Sequence, residues 1–382
     1  MPVAVHDAIG GKSDANPAPD PRRTDILIVG GGPAGCAAAI SLARTGISAE
    51  LFERSHAGHD VVCGGFLGWD ALRALARLGI DAASLGARPI RKLRLLAGGR
   101  QVEASLPQPA AGLSRRTLDA ALLGAAADAG AAVHRGRAVR AADVARNLVR
   151  MDDGEEIEAG ALLLANGKYE LRGAARPRDT AGDPIGIRTS LETPGSLRTS
   201  LEGVIELHLF DGGYAGLLLQ EDGSANLCLS VARQSMKRAG GIENLVAEIA
   251  ARAPALADRL ADGAASEWMA VSAVPYGWRA RETSPGLFRL GDQAAVIASI
   301  AGDGIAIALE SGIAAASTLV GQEPDARNFQ RAFAQRTRRP VMVAETIRWA
   351  AEHGAARFGL MRLVGANPAL ASLAARLTRI GA

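Results

Sequence analysis

Three cysteines in 382 residues (Cys36, Cys63 and Cys228) stand in unrelated contexts. They are too few and too scattered for a disulfide framework or a zinc site, and they imply a reducing cytoplasm. Cations are not gathered into an arm. The formal net charge is +3 and arginines are spread along the chain, so nucleic-acid binding has no support. No apolar run is clean enough to be a transmembrane segment. The longest, residues 294–320, is broken by Asp303, Gly304 and Glu310. A carboxylate at mid-bilayer costs about 3 kcal/mol, so a buried helix is expected there instead. Residues 1–23 lack the apolar stretch of a signal peptide, and their Pro, Asp, Gly and Ala content predicts a disordered tail. His56 and His59 form an H-x-x-H in a polar loop without further ligands, so no metal is expected. Internal repeats are absent. What remains, 48% hydrophobic and 22% charged residues, suits a chain with a large core.

The most informative stretch runs from Asp25 to Arg44 and reads as strand, glycine turn and helix. Gly30, Gly32 and Gly35 fall on the G-x-G-x-x-G spacing: the first for a tight turn, the second for backbone approach to a pyrophosphate, the third for close helix–strand packing. A helix starting near Pro33 and Ala34 would offer free N–H groups and a positive dipole end to phosphates. A second strand ends at Glu53, followed by Arg54, about 20 residues beyond the glycines, where a carboxylate can bond a ribose hydroxyl. Strand, turn, helix and acid together predict a dinucleotide site. A second glycine fingerprint after a strand is not present, so no separate NAD(P)H domain is expected.

Periodicity organises the rest. Residues 90–106 alternate around Gly98-Gly99 as a hairpin, 115–129 read as a helix, and 161–165 as a buried strand ending at Asn166-Gly167. From 183 to 233 the pattern turns to β, with strands over 204–210, 214–219 and 225–231 joined by Asp-Gly-Gly and Asp-Gly turns. Residues 242–260 read as one helix, 287–290 as a strand, and 329–380 as helices broken at Pro340, Gly354, Gly359 and Pro368. The expected fold is α/β: a Rossmann-type dinucleotide-binding domain interrupted by an antiparallel β-sheet substrate domain, with C-terminal helices. Its parts are a cofactor domain over 24–88, 113–170 and 281–320, a substrate domain over 89–112 and 171–280, and a helical segment over 321–382.

Three separated motifs carry a resemblance: the turn at 30–35, Asn166-Gly167, and Gly291-Asp292 followed by Gly302-Asp303-Gly304. This layout resembles the p-hydroxybenzoate-hydroxylase-fold flavoproteins, from residue 24 to about 320, and in its Cys-Gly-x-Phe-Leu loop a bacterial branch often found with polyketide pathways. The resemblance implies FAD as cofactor, with Asp292 on its ribityl chain. It sets Gly302, Asp303 and Gly304 at a helix start beside the isoalloxazine, and directs Arg115 of Arg-x-x-x-Asp119 toward FAD. Cys63 and Gly64 belong to the same loop, and Cys63 is either a flavin neighbour or a small buried residue. The chain departs from the hydroxylases at Asn166-Gly167-Lys168-Tyr169, where they carry Asp-Gly. It shares Cys63-Gly64-Gly65 with geranylgeranyl reductases but not their Tyr-x-Trp-x-Phe-Pro motif, and it lacks the halogenases' Trp-x-Trp-x-Ile-Pro.

The resemblance implies an FAD-dependent oxidoreductase, foremost a monooxygenase that uses NAD(P)H and O2 on a phenolic or polyketide-derived aromatic. The alternatives are a flavin-dependent reductase of isoprenoid double bonds in a lipid-like substrate, and a non-catalytic flavin-binding module. Candidate reactive residues are Tyr214, His208 and Cys63. Alternation puts Glu206, His208 and Phe210 on one strand face, which either lines the substrate cavity, with His208 as an acid or base, or leaves His208 a satisfied structural residue. Residues 275–279, with Tyr276, are expected near the flavin, and Trp268 in the core. The arginine run over 336–339 reads as a solvated helix face, with anionic lipid as the alternative contact.

Overall fold

The computed structural model describes residues 20–178, 180, 182–321 and 324–381. Of the tail expected over residues 1–23, residues 1–19 lie outside them. Arg22 and Arg23, however, are not tail. Strand β1 (Arg22–Val29) begins there, and Arg22 is held by Glu50 and Glu155 at 2.7 and 2.8 Å.

β1 turns into α1 (Pro33–Ala43) and β2 (Glu50–Glu53), which lies parallel to it. Pro33 takes the first helical position, where its missing N–H costs nothing. Then come β3 (Phe66–Leu67), α2 (Trp69–Arg77) and a long hairpin of β4 (Arg88–Ala97) and β5 (Arg100–Gly112). α3 (Arg115–Asp128), capped by the Ser114 hydroxyl on the Thr117 N–H, leads to β6 (Ala132–Arg135) and a meander of β7 (Val139–Asp143), β8 (Leu148–Met151) and β9 (Glu156–Leu164). The middle of the chain supplies β10 (Ile185–Leu191), α4 (Gly195–Leu201), β11 (Val204–Phe210), β12 (Gly213–Leu219) and β13 (Ala225–Val231). After α5 (Arg233–Ala239), α6 (Ile242–Arg252), α7 (Pro254–Asp262) and β14 (Met269–Val271), the chain returns through β15 (Leu287–Arg289) to α8 (Gly304–Leu319). Four helices finish it: α9 (Ala326–Arg336), α10 (Arg338–Glu352), α11 (Gly354–Ala366) and α12 (Ala369–Leu377).

The architecture is α/β with two sheets. The first runs β6-β2-β1-β9-β8-β7, with β15 alongside the end of β9. β6, β2, β1, β9 and β15 are parallel, so their carboxyl ends share one edge. α1, apolar all round, is covered by this sheet and by α8. The second sheet runs β14-β10-β13-β12-β11-β4-β5-β3. One face packs on α4, α6 and α7 through Leu217, Leu227, Leu245 and Ile249. The other faces the first sheet, and α10 to α12 close over it through Leu209, Met361 and Val364.

Four readings from periodicity are corrected. β10 was missed, because Arg188, Thr189 and Ser190 disguise a strand whose polar side chains are nevertheless buried or half-buried. The helix expected over 242–260 breaks at Ala253-Pro254, where a proline starts α7. The break expected at Pro340 lies at Thr337, between α9 and α10, and Pro340 itself sits in the first turn of α10, where an N–H has no partner in any case. Gly359 lies unbroken inside α11.

Candidate active site

The carboxyl ends of the parallel strands converge on a cavity of about 520 Å³. Gly30 ends β1 with φ of +105°, and a Cβ there would stand 2.6 Å from the Ala165 carbonyl oxygen. Gly35 faces the Gly30 carbonyl so closely that a Cβ would lie 2.0 Å away, and this contact sets the entry angle of α1. The helix has no side-chain cap at Gly32, and Gly32, Pro33 and Ala34 border the cavity. The N–H groups of its first turn thus present a positive pole there, the arrangement a pyrophosphate takes. Glu53 is fixed at the end of β2 by the Gly31 and Ser55 N–H groups, both at 2.8 Å. Arg115 opens α3, and its fork grips Asp119 through two bonds of 2.8 Å. Burial works against its charge, yet Asp119 and the neighbouring Cys63 hold the guanidinium above its ordinary value. These residues fit an FAD diphosphate and its ribose.

The loop before β3 forms the next wall. Asn226 donates to the Cys63 carbonyl at 3.0 Å, and the Lys168 ammonium to the Val62 carbonyl at 3.1 Å. Lys168 follows the end of β9 and lines the cavity with Asp292 and Cys63. Burial pulls its pKa down, but Asp292, Cys63 and Tyr276 together raise it, so it stays a cation. Asn226 is itself held by Arg188 at 2.6 Å, and Arg188 meets Asp60 at 3.3 Å.

Beyond the strand ends the wall becomes aliphatic. Leu93, Leu95, Leu207, Leu209 and Leu218 come from the second sheet, and Ile347, Leu360 and Val364 from α10 and α11. One polar cluster interrupts it: the Ser299 hydroxyl bonds the Tyr214 hydroxyl at 2.5 Å and the Tyr276 hydroxyl at 2.6 Å. Burial, and then Tyr276, push the Tyr214 phenol well above its usual range, so it keeps its proton at neutral pH.

Cavity-lining positions include Gly32, Pro33, Ala34, Cys63, Gly64, Arg115, Tyr214, Tyr276, Gly291, Asp292, Gly302 and Gly304. Gly30 and Gly35 shape the backbone behind them. Arg54 lies over the Tyr169 ring at 4.3 Å, away from the lining. His208 is corrected. Alternation does put it with Glu206 and Phe210, but on the face turned from the cavity, where its Nε2 meets Glu206 at 3.1 Å. Leu207 and Leu209 face inward instead. The Asp303 side chain is likewise turned away from the lining, buried against Arg379 at 2.5 Å. Burial, opposed by Arg379, pushes its carboxyl up to about 6. Residues that motif reading missed are Lys168, signalled only by its place after Asn166-Gly167, and Ser299, for which no sequence signal exists. Among the described residues no cluster of His, Cys, Asp and Glu has the arrangement of a metal site.

A family model for an FAD binding domain matches residues 23–162. A menaquinone reductase of Mycolicibacterium smegmatis is 28% identical over 326 residues, 78% of this chain and 76% of that one. Among solved structures, a flavin-dependent brominase superposes with a TM-score of 0.75 at 16% identity, covering 93% of each chain. A geranylgeranyl bacteriochlorophyll reductase-like protein of Thermoplasma acidophilum gives 0.72 at 20%, covering 89% of this chain and 90% of its own. The chain is an FAD-dependent oxidoreductase of the p-hydroxybenzoate-hydroxylase fold. At these identities the two structures speak for the flavoprotein's fold and leave its substrate open.

Proposed function

We propose that this flavoenzyme reduces a carbon–carbon double bond of a long-chain, polyprenyl-like lipid. The supporting observation is the aliphatic wall: leucines from β4, β11 and β12 face leucine and valine from α11 across the cavity, with no carboxylate on that side. Such a wall favours a hydrocarbon chain over a compact polar ring. The likeness to menaquinone reductase over three quarters of both chains supports the same class.

Gly32, Pro33 and Arg115 would hold the FAD diphosphate, Glu53 its ribose and Asp292 its ribityl chain. Bound and reduced, FAD supplies a hydride equivalent, with NAD(P)H the proposed donor of its electrons. The chain's own part is orientation and proton supply. The aliphatic wall aligns the alkene and excludes water. The Tyr214–Ser299–Tyr276 hydroxyls would supply the proton that the reduced alkene needs. Lys168 keeps a positive charge beside Asp292 and balances negative charge at the strand ends.

A second reading, hydroxylation of a phenol, draws on the same hydroxyl cluster, which offers a phenolic oxygen two hydrogen-bond partners. Anaerobic turnover separates the two. Dithionite-reduced enzyme with a polyprenyl quinone or polyprenyl diphosphate is expected to give a product heavier by two hydrogens. A strict oxygen requirement, with a phenol gaining one oxygen atom, overturns the reductase reading.

A further inference from the structure

The last two helices leave a bare apolar surface. Leu363 of α11 is 62% exposed, and Leu370 and Leu373 of α12 are 37% and 50% exposed. Leu363 and Leu370 also line the cavity, together with Leu360, Ala371 and Ala374, so this surface is the rim of the cavity's mouth. Leu370, Leu373 and Ala374 have the i, i+3, i+4 spacing that puts them on one face of α12. A bare apolar surface continuous with an apolar pocket marks a place of contact.

Charge identifies what makes that contact. Residues 353–382 contain four arginines, one histidine and no Asp or Glu. Arg362 and Arg376 are exposed, as is Arg100 at the start of β5. Arg100 and Arg362 both lie over the half-exposed ring of Phe358, at 4.6 and 5.9 Å. Among the described residues none of these three arginines is paired with a carboxylate. Exposed leucines, an aromatic ring and uncompensated arginines together suit the headgroup region of an anionic bilayer. α11 and α12 jointly have the length and apolar content of a span, but the chain bends by 115° between them, so they form a wedge for the interface. A second copy of this chain fits the face poorly. A two-fold contact through this segment would bring two sets of its arginines into one interface, with no carboxylate in the segment to meet them.

We propose that α11 and α12 dock the protein on an anionic lipid surface, with the cavity mouth between Leu363 and Leu370 turned toward the hydrocarbon. Docking does not depend on the reductase reading and is measured without turnover. Full-length, FAD-loaded protein is floated with phosphatidylcholine vesicles, with and without phosphatidylglycerol. Binding is expected to favour the anionic vesicles and to weaken in high salt. Each arginine at such a surface is worth about five-fold, so the pair Arg362→Gln and Arg376→Gln should weaken binding roughly 30-fold. Leu373→Asp, outside the cavity lining, should weaken it at least ~10-fold. Unchanged flavin absorbance in both variants reports an intact fold. Failure to bind either vesicle, or binding that these substitutions leave unaltered, overturns the proposal. A concentration-dependent dimer abolished by Leu373→Asp gives the face to a second copy and overturns it equally.

Discussion

The cavity's two sides are built on different rules. On the strand-end side, backbone decides: carbonyls stand where no Cβ fits, helix N–H groups face the opening, and charged side chains are each held by named partners. On the far side, bulk decides, and leucines from β4 and β11 could be exchanged among aliphatic residues without disturbing any hydrogen bond. The first side restricts residue type closely and tolerates little; the second restricts only bulk and polarity. The difference shows why a flavin fold can keep its cofactor while its substrates diverge.

The strongest way to break that contrast is Gly35→Val. With the new Cβ 2.0 Å from the Gly30 oxygen, the turn cannot close. A loss above about 4 kcal/mol and a colourless protein are expected, measured by thermal melting and flavin content. Bound flavin surviving in this variant would remove the close approach from the argument.

Arg379→Met comes next, since it strands the Asp303 carboxylate at the start of α8. The expected cost at pH 7 is about 3–5 kcal/mol. Its pH dependence has a definite sign. The folded carboxyl titrates at about 6 against an ordinary 3.8, so the folded state binds the proton more tightly. The stability this group contributes is complete below about 3.8 and is lost as pH rises through about 6. The variant should therefore lose much less at pH 5 than at pH 7. Equal losses at both would show that the guanidinium acts only through packing on Trp69, 4.3 Å away. Glu206, buried on the outer face of the second sheet, behaves oppositely. Burial would raise it, but His208, Arg259 and Arg94 hold it down to about 2, so its contribution is lost only as pH falls below about 4.5.

Tyr214→Phe has the smallest effect and sharpens the border between the two sides. Ser299 keeps Tyr276 as a partner, so about 1 kcal/mol of stability is expected to go, with flavin content unchanged. A fall in kcat beyond ten-fold at constant KM would assign the hydroxyl to proton supply; unchanged kcat would exclude it.

Legibility in the sequence follows the same division. Gly30, Gly32, Gly35 and Glu53 were readable because a turn and a strand end restrict residue type wherever they occur. The hairpin at Gly98-Gly99 and the strands around 204–231 were readable for the same reason. His208 was not. Periodicity tells which side chains share a face, but only the packing of α4, α6 and α7 tells which face is outside. β10 escaped because its Arg188 is neutralised by Asp60, more than a hundred residues earlier in the chain, which no local window contains. Asp303 fell in the expected motif, yet its partner Arg379 comes from the far end of the chain.

β11 has one more consequence. Its even and odd residues serve opposite environments: Glu206 and His208 outside, Leu207 and Leu209 inside. Sliding this strand by one residue against β4 would exchange the two sets together. An insertion or deletion of one codon near Gly203 or Gly212 is thus a discontinuous move in evolution. It would trade a greasy wall for a carboxylate–imidazole pair at a stroke, where point substitution would need several steps through a buried, unpaired charge.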